Sequence, residues 1–102
     1  MISEHLLKGR ENKRSIEELL SILKIERRDF YTALRNERRN GLFILSEKDD
    51  GGGYWLWDGE DIGELRRFYI MQRKGAVDIL ATLKPIYREL KRREEEEQHG
   101  QE

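Results

Sequence analysis

Residues 27–57 read RRDFYTALRNERRNGLFILSEKDDGGGYWLW, and this stretch decides the fold. Within it, residues 27–40 carry Phe30 and Leu34 four positions apart, a spacing that places both side chains on one face of an α-helix. Gly41 follows directly, and glycine readily adopts the left-handed conformation that ends many helices. The pattern therefore predicts a helix over 27–40 that is closed by Gly41.

The hydrophobic pattern changes after this glycine. The runs 42–47 (LFILSE) and 54–57 (YWLW) are rich in residues that favour β-strands, and the polar, glycine-rich segment KDDGGG lies between them. Two such runs joined by a turn-forming loop predict a β-hairpin. We expect one face of the second strand to cover the core and the other to cover the helix that follows. The segment DGED at 58–61 ends the strand and is suited to cap that helix.

A second helix is predicted before residue 27. Ser15 and Glu18 match the capping box, in which each side chain accepts a hydrogen bond from the free backbone N–H of the other residue. The apolar residues that follow have helical spacing and predict a helix over 16–23. A turn of three residues, 24–26, then separates this helix from the next.

The N-terminal segment completes the predicted domain. Residues 2–8 (ISEHLLK) predict a short helix capped by Gly9, and residues 10–14 predict a loop. The order helix, helix, short turn, helix, β-hairpin is that of a winged helix-turn-helix. The sequence thus predicts an α+β fold, with three short helices and a hairpin wing over residues 1–58.

Residues 59–93 predict a long C-terminal helix. Its apolar positions alternate three and four residues apart, which is the a/d pattern of a coiled coil. We expect this stripe to pair two copies of the chain, parallel or antiparallel, through Leu65, Tyr69, Gln72, Ala76, Ile79, Leu83, Ile86 and Leu90. Pro85 lacks a backbone N–H and predicts a kink or restart near Lys84. The last residues, 94–102 (EEEEQHGQE), predict an acidic disordered tail.

The overall charge conceals an uneven distribution. The chain has 20 Lys+Arg and 21 Asp+Glu, which give a net charge of −1. Residues 1–93 contain all 20 bases and 16 of the acids, so their net charge is +4. Local charge decides whether a surface binds a polyanion. The near-neutral total therefore does not exclude a nucleic-acid partner.

Composition also limits the classes of function. The chain has no cysteine and only two histidines, near opposite ends, which argues against thiolate chemistry and a multi-histidine metal site. No nucleophile–base pair or phosphate-binding loop is present, and no apolar run approaches the roughly 20 residues of a membrane span. We expect a soluble, cytoplasmic protein that is not an enzyme and needs no cofactor or metal.

The helix predicted over 27–40 separates two faces. At 100° per residue, Phe30 and Leu34 lie opposite a basic and polar face that is suited to the major groove of DNA. The residues of that face are Arg28, Tyr31, Thr32, Arg35, Asn36 and Arg39. Glu37 falls on the inner side, so it should be partly buried, paired with a base or at the helix edge, and we favour an ion pair with a nearby arginine. The alternative interpretation of the basic face is an ordinary solvated helix surface that binds no partner.

Three further basic residues are candidates for DNA contacts. Lys13 and Arg14 precede the helix at 16–23 and are suited to bind phosphates through charge and free N–H groups. Lys48 lies in the hairpin loop beside Asp49 and Asp50, whose carboxylates would repel phosphates. Whether the hairpin contacts DNA is left open.

The chain combines the stretches HLLKGREN (5–12), SIEEL (15–19), RRNG (38–41), GYWLWD (53–58) and a long charged helix after them. In this combination it resembles a group of small winged helix-turn-helix proteins from phages and prophages of Gram-positive bacteria. That group more often has an apolar residue at the position of Glu37 and glycine at that of Lys24. The resemblance implies DNA binding in a phage or prophage context.

Two functions compete at this stage. The first is double-stranded DNA binding by a homodimer, in transcription regulation or DNA replication. The second is a protein-interaction adaptor or inhibitor, in which the C-terminal helix and acidic tail bind a host or phage protein. We expect Arg28, Thr32, Arg35 and Arg39 to carry the first function.

Overall fold

The computed structural model describes residues 1–100 and has an α+β architecture. The elements follow in the order α1 (Ile16–Leu23), α2 (Arg27–Arg39), β1 (Ile44–Glu47), β2 (Gly53–Leu56) and α3 (Ile62–Gly100). Two 3-10 helical turns precede α1. Two short α-helices, a two-stranded antiparallel hairpin and a long C-terminal helix are compatible with a winged-helix layout, with 3-10 turns in place of the third short helix that the sequence predicted.

The predicted helix over 2–8 is wrong beyond its first turn. Only Ser3–His5 is helical, as a 3-10 turn, and the chain is extended at the next residue. The backbone then pairs with β2: Leu56 donates its N–H to the carbonyl of Leu7 at 2.9 Å, and Gly9 donates to the carbonyl of Leu56 at 3.0 Å. These long-range bonds satisfy backbone groups that the predicted helix would have bonded locally.

The predicted loop over 10–14 makes a second contact with β2. It contains the 3-10 turn Arg10–Asn12, and the backbone of Arg14 then pairs with Tyr54. Each of these two residues donates its N–H to the carbonyl of the other at 2.9 Å. The N-terminal segment thereby satisfies edge groups of β2 that would otherwise need water.

The predicted ends of α1 are confirmed. Ser15 accepts a hydrogen bond on its hydroxyl oxygen from the backbone N–H of Glu18 at 3.2 Å, which is one of the two bonds of the capping box. At the other end, Lys24 adopts a left-handed conformation with φ 56° and ψ 45°. An L-residue with a Cβ atom is strained in that conformation, so Lys24 forms the turn at a cost in stability.

The end of α2 explains why β1 begins two residues later than predicted. Gly41 has φ 89° and donates to the carbonyl of Arg38, while Leu42 donates to the carbonyl of Glu37, both at 3.1 Å. This pair of bonds is the Schellman motif, which uses the residues after a helix to satisfy its last carbonyls. Leu42 is therefore part of the helix cap, and β1 starts at Ile44.

The hairpin covers a small apolar core. This core is formed by α1, α2, β1 and the segment before α1, and its buried members are Ile2, Leu6, Leu19, Phe30, Leu34 and Ile44. Tyr54 and Leu56, on one face of β2, pack against this cluster. Trp55, on the other face, is buried and donates its indole N–H to Glu64 in the first turn of α3 at 3.0 Å. Both predicted roles of the strand faces are confirmed.

The chain divides into two compact units, and the first extends from Met1 to Phe68. The sequence placed the end of the first domain at residue 58, ten residues earlier. The difference arises because the first turns of α3 contact the hairpin and α2. Trp55 bonds to Glu64, and the guanidinium of Arg38 lies 5.0 Å from the centre of the Phe68 ring. The second unit begins at Tyr69.

The helix α3 is continuous through Pro85 to Gly100, so of the kink or restart predicted near Lys84, the restart is absent. Residues 94–100, which were predicted to be disordered, are helical; the rest of that predicted tail lies outside the described residues. Arg92 bonds to Glu89 at 2.6 Å and to Glu96 at 2.5 Å, at spacings of three and four residues. Such pairs support an exposed helix.

Candidate nucleic-acid interface

The two faces of α2 are separated as the spacing predicted. Phe30, Leu34 and Glu37 are buried. On the opposite side, all the residues proposed for DNA contact are exposed; they form the outer face of α2 and are Arg28, Tyr31, Thr32, Arg35, Asn36 and Arg39. The helix therefore presents a continuous polar surface that the core does not use.

The three arginines of the outer face have no carboxylate within ion-pair distance in the part of the chain that the structure describes. Their neighbour Arg27 differs, because it is paired with Glu17 at 3.0 Å. The hydroxyl of Thr32 donates to the backbone carbonyl of Arg28 at 3.1 Å. Thr32 must give up this bond before its hydroxyl can donate to another acceptor.

Glu37 is buried as predicted, but its partner is not an arginine. Its carboxylate accepts hydrogen bonds from the backbone N–H of Ile2 at 2.9 Å and of Ser3 at 3.0 Å, and from the Ser3 hydroxyl at 3.1 Å. The terminal ammonium of Met1 also lies 3.2 Å from it. Burial raises the pKa of Glu37, but these hydrogen bonds outweigh burial and hold its pKa below the usual value.

The side chain of Arg38 is held by contacts within the folded protein and is not part of the outer face. Its Nε donates to the carbonyl of Ile44 at 2.9 Å, and its terminal NH2 donates to the hydroxyl of Ser46 at 3.2 Å. Its guanidinium also lies over the Phe68 ring. Burial lowers the pKa of Arg38 from its ordinary value. This arginine links α2, β1 and the start of α3, a role that its sequence position did not indicate.

The hairpin carries an ionic cluster that the sequence did not reveal. Arg10 bonds to Glu47 at 2.6 Å and to Asp50 at 2.8 Å. Lys13 bonds to Glu47 at 2.5 Å and donates to the backbone carbonyl of Asp50 at 3.0 Å. We call these four residues the ionic cluster. Hydrogen bonds from Arg10 and then Lys13 lower the pKa of Glu47 despite partial burial.

The ionic cluster changes the electrostatics predicted for this region. Lys13, proposed to bind phosphate, is half-buried and already bonded to a carboxylate. In return, the negative charge of Asp50 is offset by Arg10, so the hairpin is less repulsive to phosphates than its sequence suggested. No local sequence signal could identify the cluster, because its acids and bases are separated by 34 to 40 residues.

The other predicted contact residues lie at the edges of this surface. Arg14 is half-buried and its backbone pairs with Tyr54, while Lys48 is exposed in the hairpin loop. Tyr31 packs the edge of its ring against Phe30 at 5.7 Å between ring centres. Burial, followed by the nearby Tyr31 hydroxyl, raises the pKa of Tyr54 to about 12. Tyr54 is therefore neutral at physiological pH.

The residues predicted to pair two copies fall into two groups. Leu65 is half-buried within the first unit. The remaining seven are exposed; we call them the seam, and they are Tyr69, Gln72, Ala76, Ile79, Leu83, Ile86 and Leu90. Ile79 and Ile86 expose 64% and 63% of their surface, which is high for aliphatic side chains.

Comparisons with models of protein families, with curated proteins and with solved structures find no match to this chain. Among the described residues, no helix has the length and apolar character to cross a membrane. Within the same residues, no group of three or more His, Asp or Glu side chains is placed to hold a metal ion.

Proposed function

We propose that the protein is a winged helix-turn-helix that binds double-stranded DNA through the outer face of α2. The observation that carries this proposal is the state of Arg28, Arg35 and Arg39. All three are exposed on one side of α2 and unpaired within the described residues, while the opposite side is fixed in the core. A helix held in this way is suited to insertion into the major groove.

The residue types of the outer face match the chemistry of base pairs. Arginine donates two parallel hydrogen bonds to guanine, and asparagine such as Asn36 pairs with the edge of adenine. Tyr31 and Thr32 are suited to phosphate oxygens, which position the helix without reading the sequence. The turn at 24–26, between α1 and α2, corresponds to the turn of the helix-turn-helix.

The charges support DNA binding by α2 more than by the hairpin. Two of the charged groups in α2 are removed from the surface, since Glu37 is held by the N-terminal residues and Arg38 by β1. What remains on the outer face is positive. In the hairpin, by contrast, Lys13 must leave Glu47 before it can contact a phosphate. We therefore assign the wing, including Lys48, a secondary part in affinity.

The test is duplex binding by Arg35→Ala and Arg39→Ala, singly and together, in titrations at fixed low salt. Each change should weaken binding by about 1–3 kcal/mol if the arginine contacts a base, with the circular dichroism spectrum unchanged. Arg27→Ala is the matched control: it removes an arginine from the same helix, but one already paired with Glu17. It should have a much smaller effect.

Full binding by the double variant would contradict the proposal. So would the absence of duplex binding by the folded protein at low salt. The latter result would favour the second candidate, a protein-interaction adaptor or inhibitor, for which the exposed apolar seam of α3 is the supporting observation.

The sequence resemblance favours a phage or prophage context but names no process. Transcription regulation and DNA replication are the two candidate processes. Selection of bound fragments from genomic DNA would separate the two, because promoter sites indicate regulation and origin sites indicate replication.

A further inference from the structure

From Tyr69 to Gln98, every residue of α3 is exposed. This part of the helix nevertheless carries the seam, and Leu80 and Tyr87 widen its apolar face. A helix with a polar face and an unpartnered apolar face obtains most of its stability from packing that apolar face against another surface. The apolar face of the second unit is therefore suited to pack against a partner that the single chain does not supply.

The charges that flank the seam identify the partner and its direction. In heptad terms the flanking positions are e and g, next to the a and d positions of the seam. From residue 66 to residue 96, the charged residues at these positions are Arg66, Arg73, Glu89, Glu94 and Glu96. The two in the first part of the helix are basic, and the three in the last part are acidic.

We propose that the seam binds a second copy of this chain in the antiparallel direction, with the two helices crossing near Leu80. The seam runs from Tyr69 to Leu90, so its midpoint lies between Ile79 and Leu80, next to the proposed crossing. Residues equally distant from the crossing at Leu80 then face each other. Arg66 and Glu94 are both 14 residues away, so Arg66 of each copy meets the partner's Glu94.

The same arrangement accounts for the other e positions. Arg73 and Tyr87 are each seven residues from Leu80, so Arg73 meets the partner's Tyr87, a pair suited to a cation–π contact. Leu80 itself meets the partner's Leu80. The e positions are thus matched along the pair, with opposite charges at its ends, a cation–π pair between, and leucine at its centre.

A parallel pair would be mismatched. In parallel coiled coils a g residue faces the e residue of the following heptad, so Glu89 would face the partner's Glu94 twice in each dimer. Hydrogen bonds from Arg92 and then Arg93 lower the pKa of Glu89 to about 2, so its charge persists over the working pH range. Like charges at these positions select against the parallel orientation.

A charge-exchange cycle tests the orientation. Arg66→Glu alone and Glu94→Arg alone should each weaken the dimer by about threefold to tenfold, and the double variant should restore most of the loss, measured by sedimentation equilibrium. In a parallel dimer Glu94→Arg would instead relieve the repulsion from Glu89 and tighten association. That result, or a protein that stays monomeric at all concentrations, would overturn the proposal.

Spin-label distances provide a second measurement, because the chain has no cysteine and single labels are unambiguous. Ala81→Cys, Arg88→Cys and Glu95→Cys place labels seven residues apart on the side away from the seam. In the antiparallel pair the offset between the two labels along the helix axis is about 3 Å at residue 81, 24 Å at residue 88 and 45 Å at residue 95. Equal distances at all three sites would show a parallel pair and overturn the proposal.

Leu83→Glu separates seam packing from folding. Leu83 is 47% exposed, so the change leaves the core of the first unit intact while placing a charge in the seam. The variant should be monomeric with an unchanged near-ultraviolet spectrum. Ala81→Glu is the matched control, because it adds the same charge on the opposite side of the helix and should remain dimeric. Equal dimerisation by both variants would exclude the seam as the interface.

Discussion

The carboxylate of Glu37 accepts a hydrogen bond from the backbone N–H of Ser3 at 3.0 Å, which ties the last turns of α2 to the first residues of the chain. Ile2, which precedes Ser3 and donates to the same carboxylate, is fully buried in the core. The acid on the inner face of α2 is therefore a tether for the N-terminal segment. Among its partners is the backbone N–H of Ile2, which is buried and would lack an acceptor without this carboxylate.

We predict that Glu37→Gln destabilises the protein by about 1–3 kcal/mol at neutral pH, because an amide cannot replace a carboxylate that accepts several hydrogen bonds. Urea unfolding followed by circular dichroism measures the loss. Glu11→Gln, an exposed change of the same type, is the control and should be close to neutral. Equal stability of the two variants would show that the contact with Ser3 contributes nothing.

The same contact predicts a dependence of stability on pH. The folded-state pKa of Glu37 lies below the value of 4.5 for an unperturbed glutamate. Its ionised form thus contributes stability that is fully present above about pH 4.5 and is lost as the pH falls through the lower folded-state pKa. The difference between wild type and Glu37→Gln should shrink from pH 7 to pH 3. A constant difference would contradict the prediction.

Long-range contacts such as that between Glu37 and Ser3 could not be predicted from the sequence. Local signals were sufficient for the capping hydroxyl of Ser15, for Gly41 and for the two faces of α2, since each depends on residues within one or two turns. The partner of Glu37 was missed because backbone N–H groups have no sequence signature. The N-terminal run was assigned to a helix because its pairing with Leu56 involves a strand almost 50 residues later.

The candidate site divides in the same way. The exposure of Arg35 and Arg39 follows from helical periodicity, and the sequence predicted it. The ion pair of Lys13 with Glu47 does not follow from helical periodicity, since it depends on folding the hairpin against the N-terminal segment. The sequence left open whether Pro85 would kink α3 or restart it, and the helix is continuous through this proline.

The conformation of Lys24 leads to a prediction about stability. Because a left-handed lysine is strained and glycine is not, Lys24→Gly should raise the free energy of unfolding by about 0.5–1 kcal/mol, after the greater freedom of glycine in the unfolded chain is counted. Lys24→Ala keeps the strain and removes only the side chain, so it should have little effect. If both variants are equally stable, backbone strain at this turn is not significant.

The ionic cluster leads to a prediction about DNA affinity. Glu47→Gln should tighten duplex binding at low salt by about threefold to tenfold, because it releases Lys13 for phosphate and removes a negative charge. Asp49→Asn removes a charge from the exposed loop without releasing a base, so it isolates the general effect of charge. Gel-shift titrations at two salt concentrations measure both. If Glu47→Gln binds no more tightly than Asp49→Asn, Lys13 does not reach the DNA backbone.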